Sequence, residues 1–541
     1  MLEAASSRFG SIAAVALEDE VSLYQNGLLV AASGHPMRAE GLVHLAMAQH
    51  PAPLSVLLIG GSVSGSLREV LKHPILRCDC VELDPMLLAM GRRFLPPEET
   101  RVLDDPRVTL YHTDGRFFVR TTPRRYDVVL LDLPGPSSAQ LNRFYTVEFF
   151  HQVRYCLNPG GVLAFEIAAS ETALAPEQRL LLASLRETAK RVFPQIAVLP
   201  GDTCLFVLSA ESSPLNDAAA IAARLNERGV ERQFLHEEAL ASRLTPWRTA
   251  ELERALAGEV DRATINSDFR PLGYLYDLAQ WSAQFSGPLR RWLGAVLNLP
   301  RAWAYAIPLL VLPTFVAAQM LMARAATSRS TRSQTPSEGA SLLRRGGRGL
   351  TVPVAVGVTG ISEMVFQVTA IIAFPVLYGY LFYWLGLLVG AFMLGLAAGS
   401  LYLWRRSEMP SAPAWRWFVG VHVAILLYPL VMLLVFQQPP PPAVFLALPL
   451  TAGALAGLEF PLAVHLLRQT GQPVGHAAGL LYALDSLGAG LGALIVCPFL
   501  LPLLGLTGTC AWTVLLNAAV LALLFLPQGF RPHRHVTRAV T

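Results

Sequence analysis

The chain has 541 residues, of which 53% are apolar and 15% are charged, and its formal net charge is +4. This length allows two or more domains, and the small net charge without a basic stripe argues against a nucleic acid as partner. The two halves of the chain differ in composition. Residues 1–290 have the composition of a water-soluble domain, whereas most of the remainder is strongly apolar. The sequence therefore predicts a soluble domain followed by a membrane-embedded one.

The N-terminal region predicts a small β-hairpin. Residues 11–33 alternate in polarity, and Asn26-Gly27 lies between two extended segments, which favours a hairpin turn. The N-terminus has no basic start and no long apolar core, so we do not expect a secretory signal. Helical spacing over residues 38–49 predicts a helix that leads into the main sheet.

The stretch 55–84 predicts a site for a nucleotide-type ligand. Its apolar run 56–59 fits a buried parallel strand, and a turn of small residues and a helix over 66–72 follow. A second strand ends near Glu82, roughly 20 residues past the turn. Glycines let the backbone approach a ligand, and Glu82 can accept hydrogen bonds from two ribose hydroxyls. The alternative is an ordinary strand-to-helix turn.

Strands and helices continue to alternate up to residue 209. This pattern predicts an α/β doubly wound, mostly parallel sheet, whose ligands bind beyond the carboxyl ends of the strands. Acidic residues stand at four such ends, which favours a pocket along one edge: Glu82, Asp114, Asp132 and Glu166. Cys78 and Cys80 fit buried strand positions, and we predict no metal site.

Several segments resemble the spermidine synthases, polyamine aminopropyltransferases with a methyltransferase-like fold. They include VLLIGGSVSGSLREVLKHP, CVELDP, YDVVLLDLPGPSSAQLNRFYTVEFF and LNPGGVL, and they cover most of residues 20–170. INSDFRPLGYLY, at residues 265–276, is typical of the membrane-fused branch of that family. The resemblance implies a methyltransferase-like sheet with an N-terminal β-hairpin region, followed by an α-helical transmembrane bundle.

The resemblance also implies roles for individual residues. Glu82 would bind the ribose and Asp114 the adenine amino group of decarboxylated S-adenosylmethionine or S-adenosylmethionine. A polyamine would be the other substrate. The remaining predicted binding residues are those of the glycine turn, the residue after Asp114 and one pocket wall: Gly60, Gly61, Ser62, Gly65, Gly115 and Tyr145.

The chain also departs from the family pattern at the amine side of the pocket. Val63 and Gly135 stand where the family has acids, and Arg38-Ala39-Glu40 replaces a Tyr-His-Glu sequence. A pocket that has lost two acids and gained a cation should bind a polyamine less well. If catalysis persists, we expect Asp132 or Glu40 to accept the proton of the attacking amine.

Three functions therefore remain open. The first is a divergent aminopropyltransferase. The second is a protein that binds S-adenosylmethionine or another nucleoside and performs other chemistry, or none. The third is a membrane protein for transport or assembly, with the soluble domain as a sensor.

The second half predicts a lipid-embedded helical bundle. Apolar stretches of about 20 residues or more occur at 303–323, 350–374, 380–403, 417–437, 443–465, 477–503 and 506–526. Arginines gather between alternate stretches, which favours a cytoplasmic membrane protein with its soluble domain in the cytoplasm. The first stretch then has to turn back or lie along the interface. Three acids within the stretches are candidates for a transport path or for helix contacts: Glu363, Glu459 and Asp485.

These features predict the following order of domains. Residues 1–50 form the hairpin region and lead-in helix, 51–285 the nucleoside-binding domain, 286–349 a membrane-entry segment and mobile linker, 350–530 the transmembrane bundle and 531–541 a basic tail. Either a homo-oligomer or a separate membrane subunit is a further expected partner.

Overall fold

The computed structural model describes residues 1–283 except 19, 172 and 261–263, residues 291, 302–306, 308–310 and 313, and residues 336–525 except 380–381, 407–410, 439 and 471. The chain divides into two compact units. The first comprises Met1–Ala295 with Phe374–Tyr383, and the second comprises Val296–Ala373 with Trp384–Thr541. Most of the predicted segment 286–349, and all of the predicted tail 531–541, lie outside the described residues. The predicted domain boundaries stay predictions.

An antiparallel sheet of four strands opens the first unit, in the order β1 (Glu3–Ser7), β2 (Gly10–Leu17), β3 (Glu20–Gln25) and β4 (Leu28–Ala32). The predicted hairpin is confirmed. Asn26 and Gly27 both have positive φ, as a two-residue turn between β3 and β4 requires. The prediction missed β1, whose alanines and serines carry no strong strand preference. Ser7 Oγ and Gln25 Nε2 of this sheet donate to Asp84 Oδ2, at 2.5 and 3.4 Å.

The main sheet of this unit has seven strands in the order β10-β11-β9-β8-β5-β6-β7. Strands β5 to β9 run parallel to one another, β11 is antiparallel to β9, and β10 is antiparallel to β11. This confirms the doubly wound α/β fold. The strands are β5 (Ser55–Gly60), β6 (Arg77–Val81), β7 (Val108–Tyr111), β8 (Tyr126–Asp132), β9 (Leu157–Ala168), β10 (Gln195–Leu199) and β11 (Thr203–Ser209).

Helices cover this sheet. They are α1 (Met37–Met47), α2 (Ser66–Leu71), α3 (Pro85–Phe94), α4 (Pro97–Thr100), α5 (Gly115–Thr121), α6 (Ala139–Asn142), α7 (Val147–Tyr155), α8 (Pro176–Lys190), α9 (Ala218–Glu227), α10 (Glu237–Arg243), α11 (Pro246–Ala257) and α12 (Leu272–Ala283). The strand order reverses direction between β5 and β8, because the chain runs outward through β6 and β7 and then returns to β8. Ligands of doubly wound sheets bind at such a reversal, beyond the carboxyl ends of the strands.

Strand β9 contains a bulge beside β8. Residues 158–161, whose Asn-Pro-Gly-Gly sequence favours a turn, belong to β9, which pairs with β8 through a register shift between Tyr126 and Val128. Gly160 has φ +72°, and a Cβ at Gly161 would lie 2.8 Å from Asn158 O. Glycines at both positions therefore accommodate the bulge.

The second unit is helical. Its helices are α13 (Pro336–Tyr378), α14 (Phe382–Trp404), α15 (Ser411–Gln437), α16 (Pro442–Phe445), α17 (Ala447–Arg468), α18 (Val474–Ile495) and α19 (Leu501–Phe525), with a π-helical turn at Val496–Leu500. All except the short α16 are long and apolar enough to cross a membrane. These six correspond to the last six predicted stretches. Most of the first, 303–323, lies outside the described residues.

Helix α13 begins inside the predicted mobile linker, residues 324–349. Residues 324–335 lie outside the described part of the chain, but from Pro336 onward the backbone is helical. The arginines and glycines of this segment suggested a linker. However, Pro336 at the first helical position, Glu338 in the first turn and the alanine and leucines that follow all favour a helix.

The six helices that could cross a membrane expose many apolar side chains. Leu394, Leu434 and Leu494 are 68%, 66% and 70% exposed, on three different helices. A helical unit in water would bury such a surface, whereas lipid tails solvate it at no cost. The outer surface of this unit therefore fits a bilayer.

Glycines bring some of these helices into backbone contact. A Cβ added at Gly488 of α18 would lie 2.0 Å from Gly357 O of α13, and one added at Gly453 of α17 would lie 2.0 Å from Phe392 O of α14. Small residues at such crossings allow the close packing that holds membrane helices together.

Replacing Gly488 by alanine is expected to destabilise the helical unit by about 1–3 kcal/mol, because the added methyl group overlaps a backbone carbonyl. The matched control is Gly490→Ala on the same helix, where a Cβ meets nothing within 4 Å. Thermal unfolding of the detergent-solubilised chain measures both. Equal melting temperatures for the two variants would contradict the predicted contact.

Candidate functional site

The glycine turn follows β5 directly and borders the end of β8. Gly60, Gly61 and Gly65 all have positive φ, of +75°, +71° and +95°. A Cβ on Gly61 would lie 2.6 Å from Asp132 Oδ2, so a larger residue would collide with that carboxylate. Glycine is thus required here both by the backbone conformation and by the closeness of Asp132.

Glu82 follows β6 and is tied to this turn. Ser62 Oγ donates to Glu82 Oε2 at 2.7 Å, and the backbone N–H of Asp84 lies 3.4 Å from Glu82 Oε1. Glu82 is 7% exposed, and burial raises the pKa of its carboxyl group above the usual value. The structure therefore brings together Ser62 and Glu82, two residues that the sequence predicts to hold the nucleoside.

Asp114 has partners of its own. It caps α5 by accepting from the backbone N–H of Phe117 at 2.9 Å, and it forms a buried ion pair with Arg143. Arg143 is not among the predicted site residues, although it lies in the segment YDVVLLDLPGPSSAQLNRFYTVEFF. Gly115 is close-packed, since a Cβ there would lie 2.5 Å from Ile59 Cγ2. The predicted contact between Asp114 and adenine stays a prediction.

Tyr145 is fully buried beside the end of β8. Its hydroxyl donates to Pro134 O at 2.9 Å, and its ring meets Phe165 edge-to-face, with the centroids 5.3 Å apart. These contacts fix the backbone that follows Asp132. They are compatible with the predicted role of Tyr145 as a pocket wall, which stays a prediction.

The motif at residues 265–276 forms hydrogen bonds with residues near Asp114 and Tyr145. Asp268 accepts two hydrogen bonds from Arg116, at 2.6 and 2.5 Å, and one from Thr146 Oγ1 at 2.7 Å. Asn266 Nδ2 donates to Tyr145 O at 2.8 Å. The motif thus links the residues after Asp114 to those around Tyr145, which explains its polar residues as positioning groups.

Asp132 lies at the carboxyl end of β8 and accepts hydrogen bonds from three side chains. Ser64 Oγ and Ser66 Oγ donate to Oδ2 at 2.5 and 2.7 Å, and Arg38 Nη2 donates to Oδ1 at 3.1 Å. Arg38 Nε also lies 3.8 Å from Glu166 Oε2. Arg38 therefore stands between two carboxylates, and its side chain is 52% exposed, so it forms part of an accessible surface.

Glu166, on β9, is one of the four predicted strand-end acids, and the sequence pattern indicates no specific role for it. Its carboxyl group is 4% exposed, and burial raises its pKa to about 7, partly opposed by the charges of Arg243 and Arg38. Arg243, at the end of α10, donates to Pro200 O and Thr203 O. No local sequence pattern identifies the position of Arg243.

Replacing Glu166 by glutamine is expected to stabilise the chain at about pH 8 by up to about 3 kcal/mol and to have little effect at about pH 4. The folded-state pKa, about 7, lies above the ordinary value of 4.5. The folded chain therefore binds this proton more tightly than the unfolded chain does. That contribution is complete below about pH 4.5 and is lost as the pH rises through about 7.

Melting temperatures of the full-length variant and wild type at the two pH values measure this effect. The matched control is Glu227→Gln, at an exposed position on α9. We expect little change for the control at either pH. A gain for Glu166→Gln that does not depend on pH would contradict the prediction.

Glu40, on α1, has a different environment from Asp132. Its carboxylate accepts three backbone N–H groups, from Gln233 at 2.8 Å, Phe234 at 2.8 Å and Leu235 at 3.0 Å. The side chain is fully buried. The catalytic role of Glu40 stays a prediction, but these contacts favour a structural role, in which Glu40 holds the segment before α10.

The two positions that lack the family's acids also differ from each other. Val63 is 4% exposed and belongs to the hydrophobic core, where its Cγ1 would lie 2.7 Å from a Cβ on Gly91. At Gly135, a Cβ would meet only Ile167 Cδ1, at 3.9 Å. Val63 is therefore a packing residue, whereas Gly135 leaves open space next to Asp132. Within the described part of the chain, no group of three or more His, Cys, Asp or Glu side chains could hold a metal ion.

The chain is similar in sequence to known proteins. The family model described as the spermine/spermidine synthase domain matches residues 36–201. A polyamine aminopropyltransferase of Korarchaeum cryptofilum is 35% identical over 231 residues, which are 42% of this chain and 70% of that protein. One from Nitrosomonas europaea is 33% identical over 196 residues, 35% of this chain and 60% of that protein.

Among solved structures, a spermidine synthase in complex with the transition state analogue AdoDATO has 23% identity and a TM-score of 0.41. The match covers 47% of this chain and 88% of that one. The identity to the Korarchaeum protein and its extent identify the relationship: the chain belongs to the spermine/spermidine synthase family.

Proposed function

We propose that the first unit transfers an aminopropyl group from decarboxylated S-adenosylmethionine to a polyamine such as putrescine. Relatives named polyamine aminopropyltransferases support this proposal. The observation that carries it is the site itself, where the glycine turn joins Glu82 through Ser62 and joins Asp132 through Ser64 and Ser66. The carboxyl groups proposed to bind the nucleoside and the amine thus both accept hydrogen bonds from this one turn.

The proposed chemistry needs little from the protein beyond positioning and proton removal. The sulfonium of the nucleoside already supplies its leaving group, so the attacking amine must be aligned and must lose a proton. Glu82 would hold the ribose. Asp132 would attract the cationic acceptor and take the proton, with Glu166 as a second carboxyl group nearby. The roles proposed for Gly115 and Tyr145 are close packing and a fixed pocket wall.

A second candidate function follows from Arg38. Its guanidinium donates a hydrogen bond to Oδ1 of Asp132, and the side chain is partly exposed. A cation at this position attracts a carboxylate, which S-adenosylmethionine has and its decarboxylated form lacks. The alternative proposal is therefore a protein that binds S-adenosylmethionine and performs other chemistry.

The second unit would anchor this domain in a bilayer. The six apolar helices and their exposed leucines support the anchor. Arg405 and Arg406 follow α14, Arg416 lies near the start of α15 and Arg468 ends α17, so the positive-inside rule would place these helix ends at the cytoplasmic side.

Radiolabelled decarboxylated S-adenosylmethionine with putrescine, added to the full-length chain, tests the first candidate. Labelled spermidine is the expected product, and Glu82→Gln is expected to weaken nucleoside binding. Tighter binding of S-adenosylmethionine than of its decarboxylated form, without any labelled product, would favour the second candidate and contradict the first.

A further inference from the structure

Two buried hydrogen-bond acceptors face each other inside the second unit. His422 lies on α15 and Glu459 on α17, and their side chains are 1% and 3% exposed. His422 Nε2 lies 3.5 Å from Glu459 Oε1. Neither atom has a hydrogen-bond partner among the described residues.

The other ring nitrogen of His422 determines the character of this contact. Nδ1 lies 2.9 Å from Phe418 O, and a carbonyl oxygen only accepts hydrogen bonds, so Nδ1 carries a hydrogen. In a neutral imidazole, Nε2 then presents a lone pair. An ionised Glu459 also presents only lone pairs. The two atoms would therefore repel each other unless a proton lies between them.

Further acids near Glu459 make a bound proton more favourable. Glu363 on α13 and Asp485 on α18 lie close enough for the charges of the three acids to interact. Asp485 packs against α13 where a Cβ on Gly360 would lie 3.0 Å from its Oδ1. The hydroxyl of Thr359, one turn before Glu363, lies beside Glu459 as a neutral polar group.

Within the described apolar spans, no cation lies near these acids. The spans Leu350–Tyr378, Trp384–Trp404, Pro413–Gln437, Pro442–Arg468, Val474–Ile495 and Leu501–Phe525 contain two arginines and no lysine, and Arg416 and Arg468 lie near the ends of their helices. The interior of the second unit also contains neutral polar side chains. Asn517 Nδ2, for example, donates to Ser362 Oγ at 2.8 Å. Uncompensated carboxylates within a bilayer are very unfavourable, so they persist where they bind a proton or another cation.

We propose that His422 and Glu459 form a proton-binding site in the membrane unit, at which one exchangeable proton joins Nε2 to Oε1. The proton comes from solvent and returns to it, so the site needs no other reactant. Glu363 on α13 and Asp485 on α18 interact electrostatically with one another and with Glu459, and they would control how readily the proton leaves. Such a site equips the bundle for proton-coupled movement of a solute. It does not depend on the activity of the first unit.

Infrared difference spectroscopy of the full-length chain in lipid nanodiscs tests this site. Spectra at acidic and alkaline pH report each carboxyl group that gains a proton. We expect Glu459→Gln to remove one carboxyl component and His422→Gln to shift that same component, because its hydrogen-bond partner changes. The control is His465→Gln on α17, where the exposed imidazole contacts Gln469, and it should leave the component unchanged.

A second measurement leaves Glu459 intact, in case its variant does not fold. In the wild-type chain labelled with ¹⁵N-histidine, the His422 signals, identified by their loss in His422→Gln, should show a protonated Nδ1 and an Nε2 that accepts a hydrogen bond. A Glu459→Gln spectrum identical to wild type would overturn the proposal. So would a lost component that His422→Gln does not shift, or an Nε2 without a hydrogen bond.

Discussion

Replacing Asp132 by asparagine is expected to lower kcat for aminopropyl transfer by about 10²- to 10⁴-fold, the usual contribution of a general base. Asparagine keeps the volume of the side chain, but it removes the charge that pairs with Arg38 and that would accept the proton of the amine. KM for the nucleoside should change less, because Ser62 and Glu82 remain in place. Steady-state kinetics with labelled decarboxylated S-adenosylmethionine measure both constants.

Two further variants make this result specific. Asp127→Asn removes a carboxylate at the other end of β8, where Asp127 binds the backbone N–H groups of Leu54 and Ser55 at 2.9 and 2.8 Å. It should leave kcat near the wild-type value. Glu40→Gln should mainly lower the melting temperature, because three backbone N–H groups donate to that carboxylate. Its effect on kcat should be small. A large loss of kcat in Glu40→Gln, with Asp132→Asn active, would reverse the assignment of the two residues.

Replacing Asp268 by alanine is expected to destabilise the first unit by about 3–5 kcal/mol, because it leaves the buried guanidinium of Arg116 without its partner. Both side chains are less than a tenth exposed, at 7% and 6%. Thr146 loses an acceptor as well. Thermal and urea unfolding of the full-length chain, followed by circular dichroism, measure the loss.

The double variant Arg116→Met with Asp268→Leu separates the cost of an unpaired charge from the cost of a lost contact. We expect it to recover most of the stability, since an apolar pair of similar size requires no desolvation of charge. Asp104→Ala, which breaks the exposed pair with Arg92, is the surface control and should change the melting temperature little. A double variant as unstable as Asp268→Ala would show that the bridge has a role beyond charge pairing.

Local patterns predicted the parts of the fold that depend on neighbouring residues. The apolar run before Gly60, the Asn26-Gly27 turn and the six long apolar helices all follow from periodicity and turn chemistry over short stretches. The proximity of Ser62 and Glu82 also follows from the sequence, because a parallel sheet places the ends of β5 and β6 side by side.

The rest of the site depends on long-range contacts that no local pattern encodes. Arg38 reaches Asp132 across 94 residues, and Arg116 reaches Asp268 across 152. The three N–H groups that bind Glu40 come from residues 233–235, almost two hundred positions along the chain. An acid can therefore be recognised as a strand-end residue while its partners, and with them its role, remain undetermined.

The N-terminal sheet has a practical consequence for fragments of this protein. Ser7 and Gln25 both donate to Asp84, two positions after Glu82, and Asp84 in turn caps α3 through the N–H of Met86. The match to the family model begins only at residue 36. A recombinant fragment trimmed to that boundary would delete both donors and loosen the end of β6 from which Glu82 extends. Expression trials of the isolated soluble unit should therefore start at Met1.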